Sequence, residues 1–321
     1  MTPSQIHDRQ PLIAEIKRHS LEDGPGIRSV VFFKGCPLRC VFCHNPEMQD
    51  PHVEIAYVPT HCIACGRCTE ACPEHAIDLK IPGHIEREHC TRCGECVEAC
   101  PAGALKRIGQ FYPVGTLAEL LLRDSAYYRH SGGGVTLSGG ECTLYPDYVQ
   151  DLCTGLQEYN IPVVIQTAGH FEYEAFKRKI LPYVQMIFFD IKLADPEAHR
   201  HYIGITNETI LDNLRRLNEE ARPLVCVRIP LIPGINTDPS TLSALLDLIW
   251  DAGTEQVALL PYNPLGLEKA ATIGKSIPPL PKRFMEPGEE QRLFDQFEHL
   301  IDQKKKHVGS EEKFRYKGVL R

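Results

Sequence analysis

Of the chain's 14 cysteines, only Cys142, Cys153 and Cys226 stand outside three tight groups, and this grouping narrows fold and chemistry more than any other feature. Two groups are copies of one another: Cys62, Cys65, Cys68, Cys72 and Pro73 recur as Cys90, Cys93, Cys96, Cys100 and Pro101. Both read C-x2-C-x2-C-x3-C-P, a spacing that suits two [4Fe–4S] clusters. Three closely spaced thiolates reach three irons of one cubane, and the fourth cysteine crosses to the other. Cys62, Cys65, Cys68 and Cys100 then form one set, and Cys72, Cys90, Cys93 and Cys96 the other. Structural zinc also takes C-x2-C pairs, but it leaves the doubled run and its terminal proline unexplained. Cysteines clustered this way point to metal or redox chemistry in a reducing compartment rather than to disulfides.

This repeat interrupts a second rhythm. Strand-like runs at Arg28–Lys34, Gly134–Ser138, Pro162–Thr167, Met186–Leu193, Leu224–Ile232 and Gln256–Tyr262 alternate with helical stripes such as Leu242, Leu245, Leu246 and Ile249. Strands alternating with helices imply parallel βαβ units. Six units are two short of a closed eight-stranded barrel. The expected fold is α/β, a partial (β/α)6 TIM-like barrel; a doubly wound sheet would use the same strands. Residues 50–110 read as an inserted bacterial-ferredoxin-like α+β domain, with residues 1–49 and 111–321 forming the two parts of the barrel. In either architecture chemistry gathers at the C-terminal ends of the strands.

The third group, Cys36, Cys40 and Cys43, follows the first strand as C-x3-C-x2-C. Three thiolates on a cubane leave one iron without a protein ligand, and an open metal position is where a small molecule coordinates. The competing reading is a set of packed cysteines, or zinc with a distant fourth ligand. The motif resembles the signature of the radical S-adenosylmethionine (SAM) superfamily. The resemblance sharpens with Asp23-Gly24-Pro25-Gly26-Ile27-Arg28, Phe33-Lys34-Gly35-Cys36 and Cys43-His44-Asn45-Pro46-Glu47, which look like the opening of glycyl-radical-enzyme activating enzymes, the branch with a two-cluster insert. It implies that the open iron is chelated by SAM, whose reductive cleavage gives a 5′-deoxyadenosyl radical that abstracts a glycine Cα hydrogen from a partner enzyme.

The same resemblance assigns the SAM contacts. Gly139, Gly140 and Glu141 match the motif that binds the methionyl amino group, and a carboxylate can meet an ammonium. The family usually follows that Glu with Pro; here Cys142 reads as a tolerated small residue. Asp190 and Lys192 share one face of the fourth strand, with Lys192 placed beside the three cysteines in the catalytic set. Arg228 on the fifth strand would face SAM's carboxylate or ribose, or form a structural salt bridge, while Cys226 lies deeper as packing. Gln166 and Thr167 stand where relatives often carry Asp-Thr; losing that charge puts a monovalent cation beside SAM in doubt. Asn263 can hydrogen-bond ribose or adenine but cannot titrate. His44 is either a tuner of the cluster or a loop residue.

A formal net charge of -7 gives no electrostatic support to nucleic-acid binding. No apolar run is long enough to span a bilayer, and Met1 to Pro11 lacks the core of a signal peptide. The expected location is the cytoplasm of an anaerobic host, with a flavodoxin or ferredoxin-type electron donor. The rival functions are a radical SAM enzyme acting on a small molecule and a non-catalytic multi-cluster electron carrier. The first leaves the Asp23–Arg28 opening unexplained; the second leaves the open three-cysteine site without purpose. Lys304, Lys305 and Lys306 read as a solvated helix end.

Overall fold

The computed structural model describes residues 10–221, 224–308 and 315–316. Six β-rich runs of the sequence become six parallel strands: β2 (Arg28–Phe33) and, past the intervening short strands, β6 (Gly134–Gly139), β7 (Val163–Thr167), β8 (Val184–Asp190), β9 (Val225–Pro230) and β10 (Gln256–Leu260). Before them runs β1 (Leu12–Ser20); between β2 and β6 lie β3 (Glu54–Tyr57), β4 (Leu105–Ile108) and β5 (Gln110–Phe111), and β11 is Arg315–Tyr316. Among the described residues the large sheet runs β11-β10-β9-β8-β7-β6-β2-β1-β5. Each parallel strand therefore lies beside the next one in sequence. Right-handed crossovers in such an order put every helix on the same face, and no switch point appears, so the doubly wound alternative is out. The molecule is the partial barrel.

Alternation along the strands sorts the two faces. Leu137, Ile165, Ile187, Val227 and Leu259 point to the helices and join the main core with Leu152, Leu214, Leu246 and Phe297. The opposite face holds a small cluster of Val164, Phe188, Cys226 and Ala258, which is the barrel lumen. Cys142 and Cys153 are both buried in the main core. The helix Pro239–Asp251 carries the stripe read from the sequence, capped by Asp238, whose side chain accepts from the Thr241 N–H. Lys304 is tied to Asp247 on that helix.

The sequence reading missed β1, which pairs antiparallel with β2 on one side and with the edge strand β5 on the other. Its alternation is irregular, with register shifts between Ile13 and Glu15 and between Lys17 and Ser20.

Between β3 and β4 the chain builds a second, smaller body. These two strands pair antiparallel, Glu54 against Ile108 through Tyr57 against Leu105. Its core is Ile55, Tyr57, Cys72, Ala76, Ile77, Ile85, Cys96, Ala104 and Leu105. The sequence repeat is also a repeat of backbone conformation. Ala64 and Arg92 both take positive φ (53° and 63°), as do Gly66 and Gly94 (77° and 94°) and His75 and Gly103 (50° and 60°). Lys34, wholly buried at the end of β2, reaches into this body: its Nζ donates to Glu54 Oε2 at 2.8 Å and to the Glu47 carbonyl.

Candidate functional site

The three-cysteine loop is held by backbone hydrogen bonds from several directions. Gly35 N donates to the Met48 carbonyl at 2.8 Å and Cys36 N to Gln49 at 3.1 Å. Arg39 N and Val41 N donate to Ile203 and Tyr202, at the end of the helix Pro196–Ile203. From the sixth-strand side, Gly140 N donates to the Phe33 carbonyl and Glu141 N to Gly35. The helix Leu265–Thr272 closes in last: a Cβ on Gly266 would stand 2.2 Å from the Cys43 carbonyl oxygen, so only glycine fits. Burial raises the pKa of all three thiols, that of Cys40 to about 12, and Lys192 opposes that rise at Cys40.

Gly139 and Gly140 are glycines for a reason the sequence reading did not anticipate. A Cβ on Gly139 would lie 2.3 Å from Phe33 backbone, and one on Gly140 would lie 2.2 Å from the Gly35 carbonyl oxygen. They make room for the cluster loop's own backbone. Glu141, fully buried, turns its carboxylate away from solvent and spends it on internal donors. It accepts from Thr143 N and Oγ1, from Thr167 Oγ1 at 2.9 Å and from Ala168 N at 2.9 Å. The carboxylate thereby ties the ends of β6 and β7 together beside Cys36.

Three charged residues meet at the lumen's mouth. Asp190 Oδ1 accepts from Arg228 Nε at 2.9 Å, and Asp190 Oδ2 accepts from Lys192 Nζ at 3.0 Å. Burial pushes the Asp190 carboxyl up, but Arg228 and Lys192 outweigh it and hold the group below its usual range. Burial likewise opposes the Lys192 charge, and Asp190 and Cys40 more than restore it. The Arg228 guanidinium also lies over the Phe188 ring, 4.9 Å from its centroid. Two cations against one carboxylate leave a single positive charge facing the lumen, the complement of an anionic ligand group.

Gln166 does not point to an empty place. Its Nε2 donates to Asp23 Oδ1 at 3.0 Å, while Ser138 Oγ donates to its Oε1 at 2.7 Å. Asp23 is the site residue that the sequence reading passed over; it was visible only as part of the Asp23–Arg28 run. Arg28, wholly buried, was missed too. It donates to Thr136 Oγ1 and to the Val135, Pro162 and Pro25 carbonyls, staking the run to the base of the lumen. Asn263 Oδ1 accepts from Leu265 N at 3.0 Å, starting the helix that packs on Cys43. Burial, with Lys269 and Lys17 nearby, lowers the His44 ring to about 4, so it is neutral at ordinary pH.

The insert's thiols line two recesses. Cys62, Cys65, Cys68 and Cys100 surround one, and Cys72, Cys90, Cys93 and Cys96 surround the other. Fourth cysteines come from the other repeat in both cases. Backbone N–H groups of Ala64, Ala76 and Ala104 point at the sulfurs of Cys62, Cys72 and Cys100 at 3.3 to 3.4 Å, as suits thiolates carrying cluster charge. Among the described residues no three His, Cys, Asp or Glu side chains converge tightly enough to hold a single metal ion. A donor set of four thiols spread around a recess fits a cubane.

Residues 30–245 match the model of the radical SAM superfamily. The chain is 38% identical over 274 residues to the benzylsuccinate synthase activating enzyme of Thauera aromatica, covering 83% of this chain and 82% of that one. It is 39% identical over 271 residues to the trans-4-hydroxy-L-proline dehydratase activating enzyme of Clostridioides difficile (83% and 88% covered). With the choline trimethylamine-lyase activating enzyme of Oleidesulfovibrio alaskensis it shares 36% over 279 residues (84% and 89%). The chain belongs to the radical SAM superfamily, among the glycyl-radical-enzyme activating enzymes.

Membership of the radical SAM superfamily brings a [4Fe–4S] cluster and SAM as cofactors and makes this chain an enzyme of the oxidoreductase class. No helix among the described residues is long and apolar enough to cross a membrane.

Proposed function

We propose that this radical SAM enzyme activates a separate glycyl-radical enzyme, with SAM seated at the mouth of the partial barrel and two further clusters in the insert. The observation that carries the reading is the meeting of Cys36, Cys40 and Cys43 with Asp190, Lys192 and Arg228 at the C-terminal ends of parallel strands. When bound, a cluster with one open iron and SAM supply one-electron cleavage and hydrogen-atom abstraction, the hard chemistry that cofactors bring to a protein.

The chain's own residues do the rest. Cys36, Cys40 and Cys43 would hold the cluster through their three thiolates. Lys192 and Arg228 offer the unbalanced positive charge to SAM's carboxylate, and Asp190 orients both. Glu141 acts through Thr167 and Ala168, fixing the strand ends against the loop rather than meeting the ligand with its carboxylate. No monovalent cation is required. The Gln166 amide is engaged by Asp23, and Asp190 is already neutralised by Lys192 and Arg228. Free thiols in this number fit a cytoplasmic setting and a flavodoxin or ferredoxin-type donor.

The test is anaerobic. Reconstituted, dithionite-reduced protein given SAM should form 5′-deoxyadenosine, and Cys40→Ala should not. A glycyl electron paramagnetic resonance (EPR) signal on a co-incubated glycyl-radical enzyme completes the assignment. Failure of a fully loaded protein to bind SAM would sink it.

A further inference from the structure

The insert's two recesses differ in how they are tied to the barrel. Each recess has one exposed thiol, Cys65 and Cys93, and around that of Cys62, Cys65, Cys68 and Cys100 the loop also turns Ile63 to water, with 65% of its surface exposed. The recess of Cys72, Cys90, Cys93 and Cys96 is moored on two sides. Arg87, three residues before Cys90, donates from one nitrogen to the carbonyl of Ile55, which lines this recess. Its other terminal nitrogen donates to the Thr272 carbonyl at 3.1 Å, across 185 residues of chain. Thr272 ends the helix whose Gly266 presses on the Cys43 carbonyl. Gly274 leaves the space that the guanidinium fills, since a Cβ there would stand 3.0 Å from Arg87 Nε. On the other side Arg92, between Cys90 and Cys93, pairs with Asp50 at 3.8 Å, in the stretch that leaves the cluster loop.

We propose that the recess of Cys72, Cys90, Cys93 and Cys96 is the inner station of an electron relay and that Arg87 is its positioning residue. The recess of Cys62, Cys65, Cys68 and Cys100 is then the outer station, where a one-electron carrier protein delivers. This rests on the three-cluster reading above. In each transfer one station is oxidised by one electron and the next is reduced by one, with no bond made or broken. Arg87 does two things. It holds the inner station against the short helix that touches the three-cysteine loop. Its fixed charge also lies within electrostatic range of Cys90 and Cys96. A positive charge held in a partly buried setting stabilises the extra negative charge of a reduced cluster. Such a charge raises the reduction potential of the inner station selectively.

The experiment is an anaerobic redox titration of the loaded full-length protein, followed by EPR, on wild type, Arg87→Ala, Arg87→Gln and Arg87→Lys. Cys93→Ser and Cys65→Ser mark which signal belongs to which recess. Arg87→Ala and Arg87→Gln should shift to lower potential only the signal that Cys93→Ser alters, and Arg87→Lys should keep that signal near its wild-type potential. Movement of the signal that Cys65→Ser alters, or of neither signal, overturns the proposal. Arg87→Gln keeps the side chain's bulk, so the readout survives if the alanine variant loads poorly. Iron content of the wild type and dithionite-driven 5′-deoxyadenosine formation read the parent hypothesis separately: fewer than about twelve irons or no cleavage would fail that reading, whatever the potentials show.

Discussion

The barrel and the insert both present cysteines for iron, yet they hold those cysteines by different means. In the barrel, Cys36, Cys40 and Cys43 hang on a loop fixed by backbone hydrogen bonds to the segment Met48–Gln49, to Gly140–Glu141 and to the helix Pro196–Ile203. Behind the loop stands a core that runs through every parallel strand. In the insert, the core is nine residues, and two of them, Cys72 and Cys96, are themselves in the thiol sets. A body of that size does not bury enough apolar surface to stand by itself and commonly leans on bound metal. The site that must open to a ligand is built on structure that does not depend on iron. The insert's two thiol sets, by contrast, share residues with the insert's own core.

Several experiments can break or sharpen this contrast. The largest effect belongs to Cys40→Ala, which should drop 5′-deoxyadenosine formation to background while removing only about four irons; loss of all the iron would mean the barrel loop and the insert are not independent. Stripping iron with a chelator comes next. Limited proteolysis should then cut between residues 58 and 104 while the barrel survives as a resistant core; equal resistance of both bodies would end the comparison. Glu141→Ala should cost about 3 kcal/mol by denaturant unfolding, because Thr143 and Ala168 donors are left buried without an acceptor.

A smaller effect reads the barrel's iron-free stability. Hydrogen bonding from Arg18 and Ser29 holds the buried Asp124 carboxyl below its ordinary range against the cost of burial. A lowered folded value means that this stabilisation is complete above the unfolded pKa and is lost as pH falls through the folded one. Asp124→Asn should therefore cost about 2 kcal/mol near neutrality and progressively less in acid. A loss that is flat with pH would put the cost elsewhere. Exchanging sodium, potassium and a bulky organic cation should leave the SAM dissociation constant unchanged; a clear preference would show that Gln166 and Asp190 do hold an ion.

Much of this was legible in local sequence. Each parallel strand falls within or next to an apolar run, and the helices carry their stripes, because strand and helix periods are written over five to fourteen residues. Ligand spacing is equally local, so the thiol sets read from the doubled run are the sets that line the two recesses. The antiparallel strand β1 was lost because its bulges break the alternation. The glycines at 139 and 140 were visible, but not what crowds them.

From the sequence alone came the alternation that implies parallel strands, the three cysteine groups and the resemblance they carry. Only the tertiary structure decided between a partial barrel and a doubly wound sheet, since strand order is a relation among elements and leaves no trace within any one of them. Tertiary structure also chose the distant partners of Arg28, Glu141, Gln166 and Arg87, those 26 to 185 residues away. A buried charged side chain must find a partner wherever the fold brings one. No periodicity along the chain records which partner that will be.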